Sequence, residues 1–170
     1  MESRAKAAGH AIHQQLVVFP LGLLSTAVVF DVIGLLANNG HFTSAAYLMI
    51  AAGVLMGLLA AIFGLIDFIA VPDGTRAKRI GRLHGAGNVV MIVLFAISWF
   101  MRGGAQDNVP SILAFVLELL AFVIAAGAGW LGGELVGRLG VGVDDGAGLD
   151  APAKFTTGIS LKHGPHQAGL

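Results

Sequence analysis

Cysteine is absent from this chain of 170 residues. Its absence excludes disulfide bonds, thiolate metal centres, iron–sulfur clusters, covalently attached c-type haem and acyl chains on cysteine. Charged residues make up only 12% of the chain, and ten acidic residues balance ten basic ones, so overall charge predicts no nucleic-acid partner and no acidic partner. The sequence also lacks a nucleophile–base motif, a phosphate-binding loop and a dinucleotide fingerprint, so hydrolase, kinase and dehydrogenase chemistry have no support.

Long apolar runs are what the chain has in abundance, and four of them cover residues 16–37, 44–71, 85–101 and 111–135. A helix needs about 20 apolar residues to cross a hydrocarbon core of about 30 Å. The mean hydropathy of +0.82 and the 56% of hydrophobic residues agree with a membrane protein. The sequence therefore predicts an all-α, integral membrane four-helix bundle. Because the loops are short, we expect an antiparallel, up-down-up-down arrangement.

Polar and glycine-rich segments predict three parts: an N-terminal arm at 1–15, the transmembrane domain at 16–137 and a flexible tail at 138–170. No internal sequence repeat is evident. In the tail, His163 and His166 form at most a weak metal-binding pair.

Individual residues predict where the helices begin or break. Pro20 predicts a kink or a new start within helix one, because proline cannot donate the helical hydrogen bond. Thr43 or Ser44 is expected to cap helix two, helix three to begin near Leu83, and Asn108 to cap helix four.

Positive charge is distributed unevenly across the predicted membrane. The side that holds the termini and the second loop has nine of the ten basic residues, and the other side has only Arg102. Since basic loops stay in the cytoplasm, we expect a multi-pass protein of the bacterial cytoplasmic (inner) membrane with both termini cytoplasmic. The nine residues are Arg4, Lys6, Arg76, Lys78, Arg79, Arg82, Arg138, Lys154 and Lys162.

Each predicted helix brings at least one ligand-capable residue to the cytoplasmic level. Histidines on neighbouring helices suit a b-type haem, whereas histidines with carboxylates suit a divalent metal, and the sequence leaves both open. Simple ion pairs are the alternative for the carboxylates, Glu134 with Arg138 and Asp67 with a base such as Arg82. The cofactor candidates are His13, His84, His10 and Asn88, and the metal candidates are Asp67, Glu134, His13 and His84.

Two further carboxylates, Asp31 and Glu118, lie deeper in the apolar runs. A carboxylate exposed to lipid is costly, so both are expected to face the interior of the bundle. They predict either a mutually satisfied structural pair or part of a proton or ion pathway.

Several short segments together resemble one known family. In this order along the chain they are Gly9-His10-Ala11-Ile12-His13, Phe19-Pro20, Asp31, Gly64-Leu65-Ile66-Asp67, His84, the run from Gly129 to Val136 and Gly140-Val141-Gly142-Val143. From about residue 9 to residue 146 the chain resembles the bacterial membrane-protein family of domain of unknown function 2231. Gln14 departs from the pattern, because a proline often follows the second histidine in that family. The resemblance implies four membrane helices and no established activity; its association with Rieske and cytochrome modules favours electron transfer.

Three hypotheses for function follow. The leading one is a membrane-embedded redox or respiratory-chain accessory protein with haem b or a metal near the cytoplasmic face. The second is a non-catalytic subunit that stabilises a larger membrane complex. The third is a small proton or ion pathway. Beyond the lipid bilayer, the expected partners are a membrane-protein complex or an electron-transfer protein.

Overall fold

Four membrane-length helices form the structure, a computed structural model that describes residues 1–153. The candidate spans are Ile12–Ala37, Gly40–Ala70, Arg76–Arg102 and Gln106–Gly137, so the all-α membrane four-helix class is confirmed. The chain begins with a short hairpin of β1 (Lys6–Ala7) and β2 (His10–Ala11). It then forms α1 (Ile12–Leu16), α2 (Val18–Ala37), α3 (Gly40–Ala70), α4 (Arg76–Arg102), a 3-10 turn (Gln106–Asn108) and α5 (Ile112–Gly137). His163 and His166 lie outside the described residues, and the division into arm, bundle and tail stays a prediction.

The break predicted near Pro20 is present in the first span. Helix α1 ends at Leu16 and α2 begins at Val18. Pro20 is then the third residue of α2, where a backbone N–H has no partner within the helix, so proline costs little there.

The other helix ends differ from the prediction because polar residues just outside the apolar runs act as caps. Asn39 caps α3 through a hydrogen bond from His41 N at 3.0 Å, so neither Thr43 nor Ser44 is the cap. Thr75 caps α4, which therefore begins at Arg76 instead of Leu83 and carries the basic loop residues on its first two turns. The cap of α5 is Ser111, whereas Asn108 ends the preceding 3-10 turn.

Small residues allow the helices to approach closely. Helix α2 packs mainly on α3, and α4 mainly on α5. A Cβ placed on Gly53 of α3 would lie 2.7 Å from Leu24 of α2, so this contact requires glycine. In lipid such close contacts hold helices together, since the acyl chains are as apolar as the side chains. The core between the pairs consists of Leu24, Ala27, Val28, Ala46, Ile50, Met91, Ile92, Phe95 and Ala121.

Large apolar side chains cover the outside of the bundle. Exposed fractions reach 87% for Ile112, 85% for Leu36 and 69% for Trp130. A soluble protein of this size does not expose so much contiguous apolar surface. The bundle surface is therefore suited to contact with lipid acyl chains.

Candidate functional site

His13 lies in α1 and packs into a space that a glycine of α3 leaves open. Its Nδ1 is 2.8 Å from the carbonyl oxygen of Ala60. A carbonyl can only accept, so Nδ1 carries the proton and Nε2 has the free lone pair. One turn further along α3 is Gly64, where a Cβ would lie 2.9 Å from His13 Cε1 and Nδ1. The ring is thus fixed in both orientation and tautomer.

His84 is held in the same way between α4 and α5. Its Nδ1 donates to the carbonyl oxygen of Ala128 at 2.8 Å, and a Cβ on Gly132 would lie 3.1 Å from His84 Cε1. Hydrogen bonds from Nδ1 to backbone carbonyls commonly orient a histidine that binds a metal through Nε2.

The two imidazole rings lie close to each other. Their centroids are 6.4 Å apart and their planes are perpendicular. Two imidazoles on opposite sides of one metal atom, with metal–nitrogen bonds of about 2.0–2.1 Å, have centroids about 6 to 6.5 Å apart. The distance between the two centroids therefore has the length that two imidazoles bound to one metal would have.

The other candidates at this level have different partners. Asn88 Nδ2 donates to the His84 carbonyl at 2.9 Å and lies 3.2 Å from His84 Nε2. His10 is exposed, and its Nδ1 is 2.9 Å from the carbonyl of Ala8 in its own hairpin.

Within residues 1–153, Asp67 does not form the expected ion pair with Arg82 or another base of the second loop. It accepts hydrogen bonds from Ser3 Oγ at 2.8 and 2.9 Å and from Arg4 N at 2.7 Å, because the N-terminal arm folds over the end of α3. Glu134 accepts from Arg76 Nη2 at 2.6 Å and lies 3.5 Å from Arg138 Nε, so its expected ion pair with Arg138 is present.

Within residues 1–153, no three His, Asp or Glu side chains come together in a geometry that could hold a metal. The structure thus brings together His13 and His84 from the predicted set, and it places the two carboxylates in other interactions. What remains at this level is a two-histidine donor set.

The N-terminal arm also contacts the segment after α5. Lys6 Nζ lies 2.5 Å from Asp144 Oδ1 and 2.6 Å from Glu2 Oε2. The hydrogen bonds to Asp144 and then Glu2 hold the pKa of the Lys6 ammonium above its usual range. Together with the bond from the Met1 ammonium to the Gly140 carbonyl at 3.1 Å, they fasten the arm at the end of the bundle that carries the histidines.

A second polar cluster, the Arg102 triad, lies near the other end of the bundle and consists of Arg102, Asp31 and Glu118. All three residues are 0% exposed, as the sequence predicts for the carboxylates. Arg102 binds both oxygens of Asp31 at 2.7 and 2.8 Å and Glu118 Oε1 at 2.8 Å. It also donates from Nε to the Asn108 carbonyl at 2.8 Å and from Nη2 to the Thr43 carbonyl at 3.0 Å. All five N–H donors of the guanidinium are therefore used.

Arg102 is a partner of these two carboxylates that was not expected from the sequence. It is the last residue of α4 and follows an apolar run, a position typical of a loop charge. The sequence does indicate this pairing: Arg102 is the single basic residue on its side, and Asp31 and Glu118 lie in apolar runs near the same side.

The two helix pairs, α1 and α2 with α3, and α4 with α5, have the same arrangement of key residues, which the sequence alone does not make evident. His13 precedes Asp31 by 18 residues, and His84 precedes Arg102 by 18 residues. Each histidine donates to an alanine carbonyl that lies four residues before a glycine, Ala60 with Gly64 and Ala128 with Gly132. In the unbroken helix α4, 18 residues span about 27 Å. The bundle thus carries a histidine layer and a charged layer near opposite ends.

The comparisons with known proteins identify the family. The family model described as a predicted membrane protein, domain of unknown function 2231, matches residues 9–145. The chain belongs to domain of unknown function 2231. The residues that match the family model include His13, His84, the whole Arg102 triad and the segment after α5 that contacts the N-terminal arm. Among curated proteins and solved structures, nothing matches the chain.

Proposed function

We propose that the protein is a redox component of the bacterial cytoplasmic membrane that holds one b-type haem between His13 and His84. The observation that carries this proposal is the pair of imidazoles, with both Nδ1 atoms bound to backbone carbonyls and the ring centroids 6.4 Å apart. Helix bundles commonly hold a cofactor between side chains of facing helices.

The donor set favours haem over a non-haem metal. A non-haem iron, zinc or manganese site needs three or four protein ligands, and in the described part of the chain Asp67 and Glu134 are bound elsewhere. A porphyrin would supply four nitrogen ligands of its own, so His13 and His84 would be the two residues of the chain that hold the iron. When bound, such a haem takes up and releases one electron.

The chain's own residues supply orientation, space and charge. The carbonyls of Ala60 and Ala128 keep each Nε2 as the lone-pair nitrogen. The Asn88 amide, 3.2 Å from His84 Nε2, would have to turn away for that nitrogen to hold iron. Arg79 and Arg82 are exposed on the first two turns of α4, and their positive charges would suit the carboxylates of a haem.

Removing either histidine tests the proposal. We expect the purified wild-type protein to contain about one haem per chain. His13→Ala and His84→Ala should each weaken haem binding by at least about tenfold, since even an orienting partner of a metal ligand is worth that much. Two control variants should retain the haem. His41 is exposed at the other end of the bundle, and the ring of His10 binds a carbonyl of its own hairpin, so His41→Ala and His10→Ala should have no effect. The measurement is haem and metal content per chain, and equal content in all five proteins contradicts the proposal.

The orientation that we propose has both termini in the cytoplasm. Arg102, the single basic residue on the other side, is buried in the triad, so the outer loops carry no exposed basic residue among the described residues. The positive-inside rule then favours one orientation strongly.

Because the chain has no cysteine, a single introduced cysteine can be labelled selectively to test the orientation. In intact cells, a membrane-impermeant maleimide should label Ala105→Cys, in the exposed loop between α4 and α5, and leave Asp73→Cys, in the exposed loop between α3 and α4, unlabelled. Both should react after the cells are opened. Labelling of Asp73→Cys alone in intact cells reverses the proposed orientation.

A non-catalytic subunit of a membrane complex is the second candidate function. It is favoured by Gly129, Gly133 and Gly137, which follow one face of α5 and have open space where a Cβ would be. Such a face lets a second helix approach closely in lipid. A protein that lacks haem and co-purifies with other membrane proteins favours this candidate.

A further inference from the structure

The charges of the Arg102 triad do not balance. Two carboxylates, Asp31 and Glu118, face one guanidinium, and the three side chains are 0% exposed. Among the described residues, no other charged group contacts these two carboxylates or Arg102. Helix α3 contributes only the Thr43 carbonyl, and the connection to α5 contributes the Asn108 carbonyl. With both carboxylates ionised, the cluster would hold one uncompensated negative charge away from water, which is very costly.

The hydrogen bonds indicate which carboxylate oxygen of the triad is able to carry the proton that would balance the charges. Both oxygens of Asp31 accept from Arg102. Glu118 Oε1 accepts from Arg102 and, at 2.5 Å, from Ser98 Oγ. Glu118 Oε2 is buried and has no partner. A carboxylate oxygen that is both ionised and without a donor is very costly in an apolar interior, so this oxygen is the one at which a proton lowers the cost most.

A cleft lies beside this layer at the same end of the bundle, and none of the three triad residues lines it. It has a volume of about 300 Å³, and its lining includes Gly34, Thr43, Gln106 and Asp107. Thr43 links the cleft to the triad, because its carbonyl accepts from Arg102 and its hydroxyl donates to the Asp107 carbonyl at 2.8 Å.

We propose that the Arg102 triad is a proton-binding site in which Glu118 carries one exchangeable proton on Oε2, and that the cleft beside Thr43 is the nearest route to the surface. The bound proton makes the cluster neutral, with Asp31 and Arg102 as the ion pair and Glu118 as the neutral acid. Its release leaves the cluster with one negative charge and is therefore unfavourable unless a proton or cation replaces it. The site does not depend on the haem, since it lies near the opposite end of the bundle.

Infrared difference spectroscopy of the full-length protein tests this site through the carbonyl stretch of a protonated carboxyl. At pH 7 we expect one such band that shifts on transfer to deuterated water. Glu118→Gln should abolish the band, and Ser98→Ala should shift it, because Ser98 binds the same carboxyl group. Glu134→Gln is the control, since Glu134 is ion-paired with Arg76 at the other end, and it should leave the band unchanged.

Three outcomes overturn the proposal. One is the absence of a protonated-carboxyl band in the wild type. Another is a band that persists in Glu118→Gln. The third is a band unmoved by Ser98→Ala, because the proton then lies on a different carboxyl. Ser98→Ala removes only a hydroxyl, so this test remains available if Glu118→Gln fails to fold.

Discussion

Arg102→Met is expected to lower the free energy of unfolding by about 3–5 kcal/mol, or to prevent folding altogether. The substitution keeps an unbranched, flexible side chain and removes the only positive charge in contact with Asp31 and Glu118 among the described residues. It also leaves the carbonyls of Thr43 and Asn108 without their donor. The measurement is the unfolding midpoint in detergent, followed with increasing denaturant.

Two further variants make this prediction specific. Arg82→Met removes an exposed arginine from the same helix and should change the free energy of unfolding by no more than about 1 kcal/mol. Replacing the whole cluster with neutral residues, as Arg102→Met, Asp31→Asn and Glu118→Gln together, should recover much of the lost stability, since no unpaired charge remains. An Arg102→Met protein as stable as Arg82→Met would show that the triad does not hold the helices together.

Gly64→Ala and Gly132→Ala are expected to weaken haem binding by about 10- to 100-fold, the usual effect of disturbing an orienting partner of a metal ligand. The added methyl group would lie 2.9 Å from the His13 ring in the first variant and 3.1 Å from the His84 ring in the second. The His13 ring must then shift, and the His84 ring must give by a few tenths of an ångström, which disturbs the hydrogen bonds that orient them. Titration of the haem-free protein with haemin measures the change in dissociation constant.

The neighbouring residue Gly133 provides a matched control for this prediction. It lies in the same turn of α5 as Gly132, but a Cβ there has no atom within 4 Å. Gly133→Ala should leave haem affinity unchanged and raise helix stability by up to about 1 kcal/mol. If Gly132→Ala and Gly133→Ala bind haem equally well, the glycine does not serve the histidine.

Local patterns in the sequence predicted much of the fold. The four spans follow from the length of the apolar runs, and the break before Pro20 follows from the missing backbone N–H. The inward direction of Asp31 and Glu118 follows from the cost of a carboxylate in lipid. Each of these inferences needs only the residue and its immediate neighbours.

Interactions between distant residues were harder to predict. The pairing of Asp67 with Ser3 crosses 64 positions, and Arg102 with Asp31 crosses 71. Neither pairing leaves a local pattern, because any base or hydroxyl of suitable length could serve. The close approach of His13 and His84 was inferred from the expected order of the helices, whereas the carbonyls that orient the two rings became visible only in the structure.

The most direct test of the haem proposal is the electron paramagnetic resonance spectrum of the oxidised protein, purified from cells that are supplied with haem. We predict a low-spin ferric signal of an iron with two axial imidazoles, which is lost in both His13→Ala and His84→Ala. A protein that is folded yet contains no haem, or one with a high-spin signal from a single axial histidine, contradicts the proposal that these two histidines bind one iron.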